Sequence, residues 1–434
     1  MLAVHHKMRS TLGKHKATRP GDRVLVAASG GVNSTALLHL LQQGIESDHK
    51  KLLFKPLVVF VDDGAVWGRG VEERKENINN VKRTLVKFGF SVYVVLLEDF
   101  NGEEVNVFSD KDDIIFSEAL ASELHKNYSN FKESSSKQEL LQQMRRSVLI
   151  EAARVLNCEK VFTGENGTVL AIELLAGVAG GAGVSLPYRV GFRDTRACVG
   201  GKEGSPEMGD GNDEIVIKNG VTILRPMRDV SSKEVALYCT FYNLETCVGE
   251  TFGTGEDSLY SIKKLTEDFL VGLQDSFPAT IPTIFKTGDK LSMSSGETGE
   301  LCCLCSGPLD TGTGGHNALQ ATMFSSLVSA KGKGGLGDTV NREVFEEVYL
   351  EQEVNGGGCG DKDDECCGEG DGSCKTNKGP TLSLKDLSKS LCYSCRRTLG
   401  KIKSVTDLPK SLQEKVGVKT RRDQMKEEIS GFLL

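Results

Sequence analysis

Short continuous apolar runs alternate with amphipathic stretches through the first part of the chain. Arg23 to Ala28 (RVLVAA) is one such run, Pro56 to Val61 a second and Val92 to Leu97 a third. Unbroken apolar runs of this length fit strands covered on both faces, as in a parallel sheet. Between them lie the helical stretch TALLHLLQQ, stopped at Gly44, and a long polar helix expected over Glu72 to Phe88. The rhythm resumes past a polar, serine-rich stretch at Asn127 to Gln138. Met144 to Leu156 carries apolar residues at helical spacing, Lys160 to Thr163 reads as a short strand, Val169 to Leu175 as a helix and Val221 to Leu224 as another strand. Ser231 and Glu234 fit a capping box at the start of the next helix. This alternation predicts an α/β fold with a doubly wound parallel sheet, whose ligands bind at the carboxyl ends of the strands.

From Leu301 the pattern breaks into CCLC, glycine-rich sequence and a late LCYSC. The expected organisation is a basic N-terminal arm (1–20), an α/β domain (21–300), a cysteine-bearing module (301–400) and a charged tail (401–434). Residues 355–379 have almost no large apolar side chains to offset the entropy of ordering, so disorder is expected there. The segment GGKEGSPEMGDGNDE reads as an exposed loop insertion.

Composition narrows the class. No stretch has the roughly 18 uncharged apolar residues of a membrane helix, and the start MLAVHHKMRSTLGK is too basic for a signal peptide, so an intracellular protein with no membrane partner is expected. Thirteen cysteines, an odd number, fit thiols and metal ligands better than a disulfide framework. The net charge of −7 means that any contact with a polyanion must use local patches. Two exist: His5, His6, Lys7, Arg9, Lys14, His15, Lys16 and Arg19 near the start, and Lys415, Lys419, Arg421 and Arg422 near the end. Both also read as solvated terminal charge.

The sharpest motif is Ser29-Gly30-Gly31-Val32-Asn33-Ser34, set directly between the first strand and the first helix after it. Glycines let backbone approach an anion, the serines add hydroxyls, and the helix start supplies free N–H groups. The Lys of a Walker loop and the spacing of a dinucleotide fingerprint are both absent. Cys302-x-x-Cys305 and Cys392-x-x-Cys395 form two knuckle pairs that match tetrahedral zinc. Their long separation leaves unmetallated thiols and a redox pair as alternatives, the latter without a thioredoxin-like helix context. Cys303 is a spare, and Cys247 reads as a buried or incidental thiol.

The loop resembles the SGGxDS signature of the PP-loop ATP-pyrophosphatases, with Asn33 in place of the usual Asp. Further segments are similar to the tRNA-thiolation branch of that superfamily: MRSTLGKHKATRPGDRVLVAASGG, FVDDG, TGENGTVLAIELLAGVAGGAG, RPMRDVSSKEVALYC and FPATIPTIFKTGDKL, closed by CCLC and CYSC. The resemblance is to the second-subunit family of the eukaryotic complex that thiolates the wobble uridine, and it spans most of the chain. It implies a cytoplasmic heterodimer with a catalytic first subunit, tRNA as substrate, ATP with Mg as cofactor or its vestige, and sulfur from a ubiquitin-like carrier. By that resemblance Ser29, Gly30, Gly31, Asn33 and Ser34 hold the triphosphate, while Asp62, Asp63, Gly64 and Gly164 border the nucleotide. Lys7, Arg9, Lys14, Lys16 and Arg19 contact tRNA.

Two departures count against independent catalysis. They are Asn33 in place of Asp and the lack of a CxxC ahead of the helix MRRSVLIEAARVLN; Glu165 and Thr168 also stand where catalytic relatives have His and Asp. No catalytic residue is therefore assigned. A stand-alone ATP-pyrophosphatase and a non-enzymatic tRNA-binding scaffold remain the rival readings.

Overall fold

A computed structural model of the chain describes residues 2–47, 51–102, 104–198, 220–247, 261–291, 300–309, 382–400, 402, 405 and 408–430. The segments expected to be a loop insertion (200–214) and disordered (355–379) lie outside these residues.

Helix α1 (Leu2–Lys14) precedes β1 (Arg23–Ala27), α2 (Val32–Glu46), β2 (Lys55–Asp62), α3 (Val71–Val86) and β3 (Ser91–Leu96). Then come β4 (Phe108–Ser109), α4 (Glu118–Ser129), α5 (Ser134–Val155), β5 (Lys160–Phe162), α6 (Gly167–Ala179), α7 (Leu186–Val190), β6 (Arg193–Asp194) and β7 (Thr222–Leu224). After α8 (Ser232–Phe241), α9 (Ile262–Ser276) and α10 (Thr280–Gly288), the cysteine region contributes α11 (Leu384–Lys389), α12 (Tyr393–Leu399) and α13 (Lys410–Ser430). Most expected elements stand within a few residues of their predicted limits. Helix α5 is the exception, since it opens within the serine-rich stretch and already buries Leu140 and Leu141.

Seven strands form one sheet in the order β4-β3-β2-β1-β5-β7-β6. The five central strands run parallel, and the two-residue strands at each edge are antiparallel. Side chains alternate between faces along each strand. Val24 and Val26 of β1 join one core with α1, α2, α3 and α8, whereas Leu25 joins another with α5. All three are fully buried, each worth about 1.5–3 kcal/mol of transfer free energy. The chain winds outward from β1 to β3 and then returns to the opposite side of β1 with β5. The crevice at the carboxyl ends of β1 and β5 is therefore the switch point of the sheet.

The ends of the chain differ from the sequence expectation. Residues 1–20 are not a free basic arm: Val4, Met8 and Leu12, one helical turn apart, bury against the second core. Lys7 Nζ pairs with Glu234 at 2.7 Å, and Thr11 Oγ1 donates to Asp229 at 2.7 Å. Nor is the cysteine region a separate module. Cys302, Cys305, Cys392, Cys395, Leu304, Leu391 and Leu399 share one core with Leu25 and Val59 of the sheet. The expected charged tail holds α13, whose Leu412 and Val416 reach that same core. In both cases an apolar stripe within a charged segment found a face of the sheet to cover.

Candidate functional site

The glycine loop sits at the switch point. Gly30 has φ +76°, the left-handed region that favours glycine, and a Cβ there would stand 3.1 Å from the Cβ of Cys247. Cys247 N–H also donates to Gly30 O at 2.9 Å, so the segment after α8 closes over the loop. Ser34 Oγ donates to Gly31 O at 3.0 Å and Thr35 Oγ1 to Gly30 O at 3.2 Å, which fixes the turn from within. Ser34 is buried, whereas Ser29 is exposed. The first N–H groups of α2 have no acceptor inside the helix, and such groups can donate to an anion.

Gly164 lies beside this loop. A Cβ at that position would meet Ser34 N at 3.1 Å and the Asn33 carbonyl carbon at 3.2 Å, so only glycine lets the end of β5 touch the loop. Two residues on, Asn166 is wholly buried and donates from Nδ2 to Asn33 Oδ1 at 3.0 Å. Asn166 lies in the segment TGENG but had no role of its own assigned to it. An Asn that opens a helix is a common cap, and it does cap α6 through Thr168 N and Val169 N.

Asp62 was expected to border a nucleoside. Its carboxylate turns inward and accepts from Arg74 Nε at 2.6 Å, while Arg74 Nη2 reaches Glu98 at 2.7 and 2.8 Å. All three side chains are buried, and burial raises Asp62 and Glu98 above the usual carboxylate range against the pull of Arg74. Gly64 is needed because a Cβ there would be 2.6 Å from Arg74 Cγ. Asp63 is half-buried and paired with Arg145. Glu165 accepts from Arg225 Nε at 2.6 Å. The carboxylates nearest the expected nucleotide are thus held by arginines. Mg2+ takes oxygen ligands in near-octahedral array. The donor set around the loop does not fit it.

The four knuckle cysteines do converge. The Sγ atoms of Cys302, Cys305, Cys392 and Cys395 all lie within 4.8 Å of one another and all four residues are buried. Cys305 and Cys392 Sγ are 3.7 Å apart, close to the ~3.8 Å edge of a sulfur tetrahedron with bonds of about 2.3 Å to zinc. Thiolates bound to separate irons of a cluster must stand farther apart than thiolates on one ion. The Cys305 thiol is held well below its ordinary value, first by Cys302 and then by Cys392 and Cys395. The buried Arg196 guanidinium donates to Cys305 O at 3.3 Å and adds positive charge. Cys303 points elsewhere, and burial pushes its thiol up to about 11.

The basic residues separate by environment. Lys7 is committed to Glu234, and Arg9 is half-buried beside α2. Lys14, Lys16 and Arg19 are exposed. At the other end Lys419 pairs with Glu300 at 3.0 Å, while Arg421 and Arg422 are exposed on α13. A cavity of about 510 Å3 lies elsewhere, between α5, α6, α9 and α12, and no loop residue lines it. Glu173 in its wall is already paired with Arg189 and Lys263.

A mostly parallel, doubly wound sheet with a glycine loop at its switch point makes this an α/β protein of the doubly wound class. Residues 261–397 match the family described as cytoplasmic tRNA 2-thiolation protein 2. The relative of that name from Danio rerio is 30% identical over 482 residues, spanning 99% of this chain and 88% of the relative. The Homo sapiens relative is 27% identical, spanning 99% and 87%. The chain belongs to the cytoplasmic tRNA 2-thiolation protein 2 family. Among solved structures, the U34-tRNA thiolase NcsA from Methanococcus maripaludis with its 4Fe–4S cluster aligns with a TM-score of 0.46 and 16% identity, over 70% of this chain and 86% of its own. An NMN synthetase from Francisella tularensis aligns with a TM-score of 0.34 and 13% identity, over 68% and 98%. Among the described residues no helix is long and apolar enough to cross a membrane.

Proposed function

We propose that this chain is the supporting, tRNA-binding subunit of the cytoplasmic complex that 2-thiolates the wobble uridine of tRNAs for Lys, Glu and Gln. Membership of the family supports thiolation as the process. The observation that carries a supporting rather than an independent role is the amide of Asn33 in the loop, together with the placement of the thiols. The clustered cysteines pack with the core on the face of the sheet opposite α2. Cys247, beside the loop, contacts Thr84 and Asn80 instead of another cysteine.

In this reading a catalytic first subunit supplies the sulfur-handling thiols. ATP adenylates the uridine C2 oxygen with loss of pyrophosphate; the sulfur of a ubiquitin-like thiocarboxylate then attacks that carbon and displaces AMP, and water cleaves the carrier's carbonyl–sulfur bond to leave 2-thiouridine and the carrier carboxylate. Ser29, Gly30, Gly31 and the start of α2 hold the polyphosphate, and Asp63 and Gly64 lie toward the nucleoside. Lys14, Lys16 and Arg19 meet tRNA phosphates. Zinc held by Cys302, Cys305, Cys392 and Cys395 ties the C-terminal region to the sheet.

The test incubates the purified chain, alone and with the first subunit, with ATP, substrate tRNA and a sulfur donor. Thiolation and pyrophosphate release only in the mixture are expected. Pyrophosphate released by the chain alone returns the assignment to a stand-alone ATP-pyrophosphatase, a reading that the intact loop geometry also favours.

A further inference from the structure

We propose that the glycine loop of this chain binds its polyphosphate ligand without a divalent cation, with Asn33 Nδ2 donating a hydrogen bond where a metal-binding carboxylate would accept one. The inference rests on reading the loop as a nucleotide site.

An amide side chain can face either way, so its direction must be decided by its partners. For Asn166 the partners decide it. Its Oδ1 receives the backbone N–H groups of Thr168 and Val169, each at 3.1 Å, and a backbone N–H can only donate. Ser232 Oγ adds a third contact to the same oxygen at 3.1 Å. Nδ2 of Asn166 must then be the atom 3.0 Å from Asn33, which therefore presents Oδ1. Because Asn166 is 0% exposed, water cannot replace this partner. Asn33 Nδ2 keeps its two hydrogens and has no partner among the described residues.

Asn33 is the second residue of α2, where the first-turn N–H groups are also donors without helical acceptors. The loop thus offers hydrogen-bond donors from backbone, hydroxyl and amide together. The carboxylates that would be needed for a cation are held by Arg74, Arg145 and Arg225. Among the described residues, the only cluster of three or more metal-ligating side chains is the four cysteines. An Asp at position 33 would accept from Asn166 Nδ2 with one oxygen and turn negative charge on the other toward a phosphate. A divalent cation would then be required between them.

The experiment measures binding of inorganic pyrophosphate and of ATP to the full chain by calorimetry, once in EDTA and once in excess Mg2+. Wild-type affinity for pyrophosphate should agree within about threefold between the two conditions. Asn33→Asp should lose about tenfold or more in EDTA and regain it with Mg2+. Wild-type binding that requires Mg2+, or an unchanged Asn33→Asp affinity in EDTA, overturns the inference and leaves the nucleotide site standing. If Asn33→Asp does not fold, the wild-type pair of measurements decides by itself. Failure of the wild type to bind either ligand in both conditions overturns the nucleotide-site reading as well.

Discussion

The glycine loop and the cysteine cluster are the two places where this chain gathers chemistry, and they are built in opposite ways. The loop takes its shape from consecutive residues, Ser29 to Ser34, bonded to one another. Its electrical character comes from afar, because Asn166, 133 residues away, decides which atom Asn33 shows. The cluster reverses this. Its chemistry is local, since thiols at CxxC spacing are soft ligands in any context. Its shape is distant, since Cys305 meets Cys392 across 87 residues only because both pack beneath the same sheet. Shape and chemistry can therefore have separate origins within one site.

The largest expected effect tests the cluster. Cys395→Ser should abolish stoichiometric zinc and destabilise the chain by on the order of 5 kcal/mol in urea unfolding, because metal binding is then part of folding. Cys303→Ser is the control, and equal losses from the two variants would show that the cluster is not a built site. Next comes the brace behind the loop. Arg74→Met leaves Asp62 and Glu98 buried without their cation and should cost about 3–5 kcal/mol at neutral pH.

The sign of the pH dependence follows from burial. Both carboxyls already sit above their ordinary values, and removal of Arg74 lifts them further. The folded variant then holds protons that the unfolded chain releases above about pH 4. Its stability should fall as pH rises from there through the raised folded values, relative to wild type. Denaturation midpoints at a series of pH values would check this, and a variant that gains stability toward neutral pH would contradict it.

Smaller effects sharpen the comparison at the loop itself. Gly164→Ala forces a methyl against Ser34 N and the Asn33 backbone, neither of which can swing aside. Pyrophosphate affinity by calorimetry should drop about tenfold, with a stability loss of only about 1 kcal/mol. The smallest effect concerns the basic residues. Lys16→Ala should weaken tRNA binding about two- to threefold and lower the salt slope by about 1. Lys7→Ala should leave that slope unchanged, because Lys7 serves the contact with Glu234. A titration of tRNA binding against salt separates the two lysines.

Much of the central fold was legible because buried parallel strands read as unbroken apolar runs, and each of Arg23 to Ala27, Lys55 to Asp62 and Ser91 to Leu96 does so. The loop and the knuckle pairs were legible because glycine and cysteine carry their chemistry at short spacing. The docking of α1 was hidden by its charges: Val4, Met8 and Leu12 are a thin stripe among His, Lys and Arg. The partner of Asp62 was hidden for a related reason. An acid at the end of a strand looks available for a ligand until a buried arginine twelve residues on is seen to take it.

The sequence by itself determined the α/β class, the glycine loop between β1 and α2 and the two cysteine pairs, because periodicity, backbone freedom and thiol chemistry are properties of short segments. The tertiary structure alone decided that the cysteine region shares the core of the sheet, that Arg74 takes the carboxylates of Asp62 and Glu98, and that Asn33 turns its Oδ1 to Asn166. Each of these depends on which distant groups meet in a space from which water is excluded, and short-range pattern carries no information about that meeting.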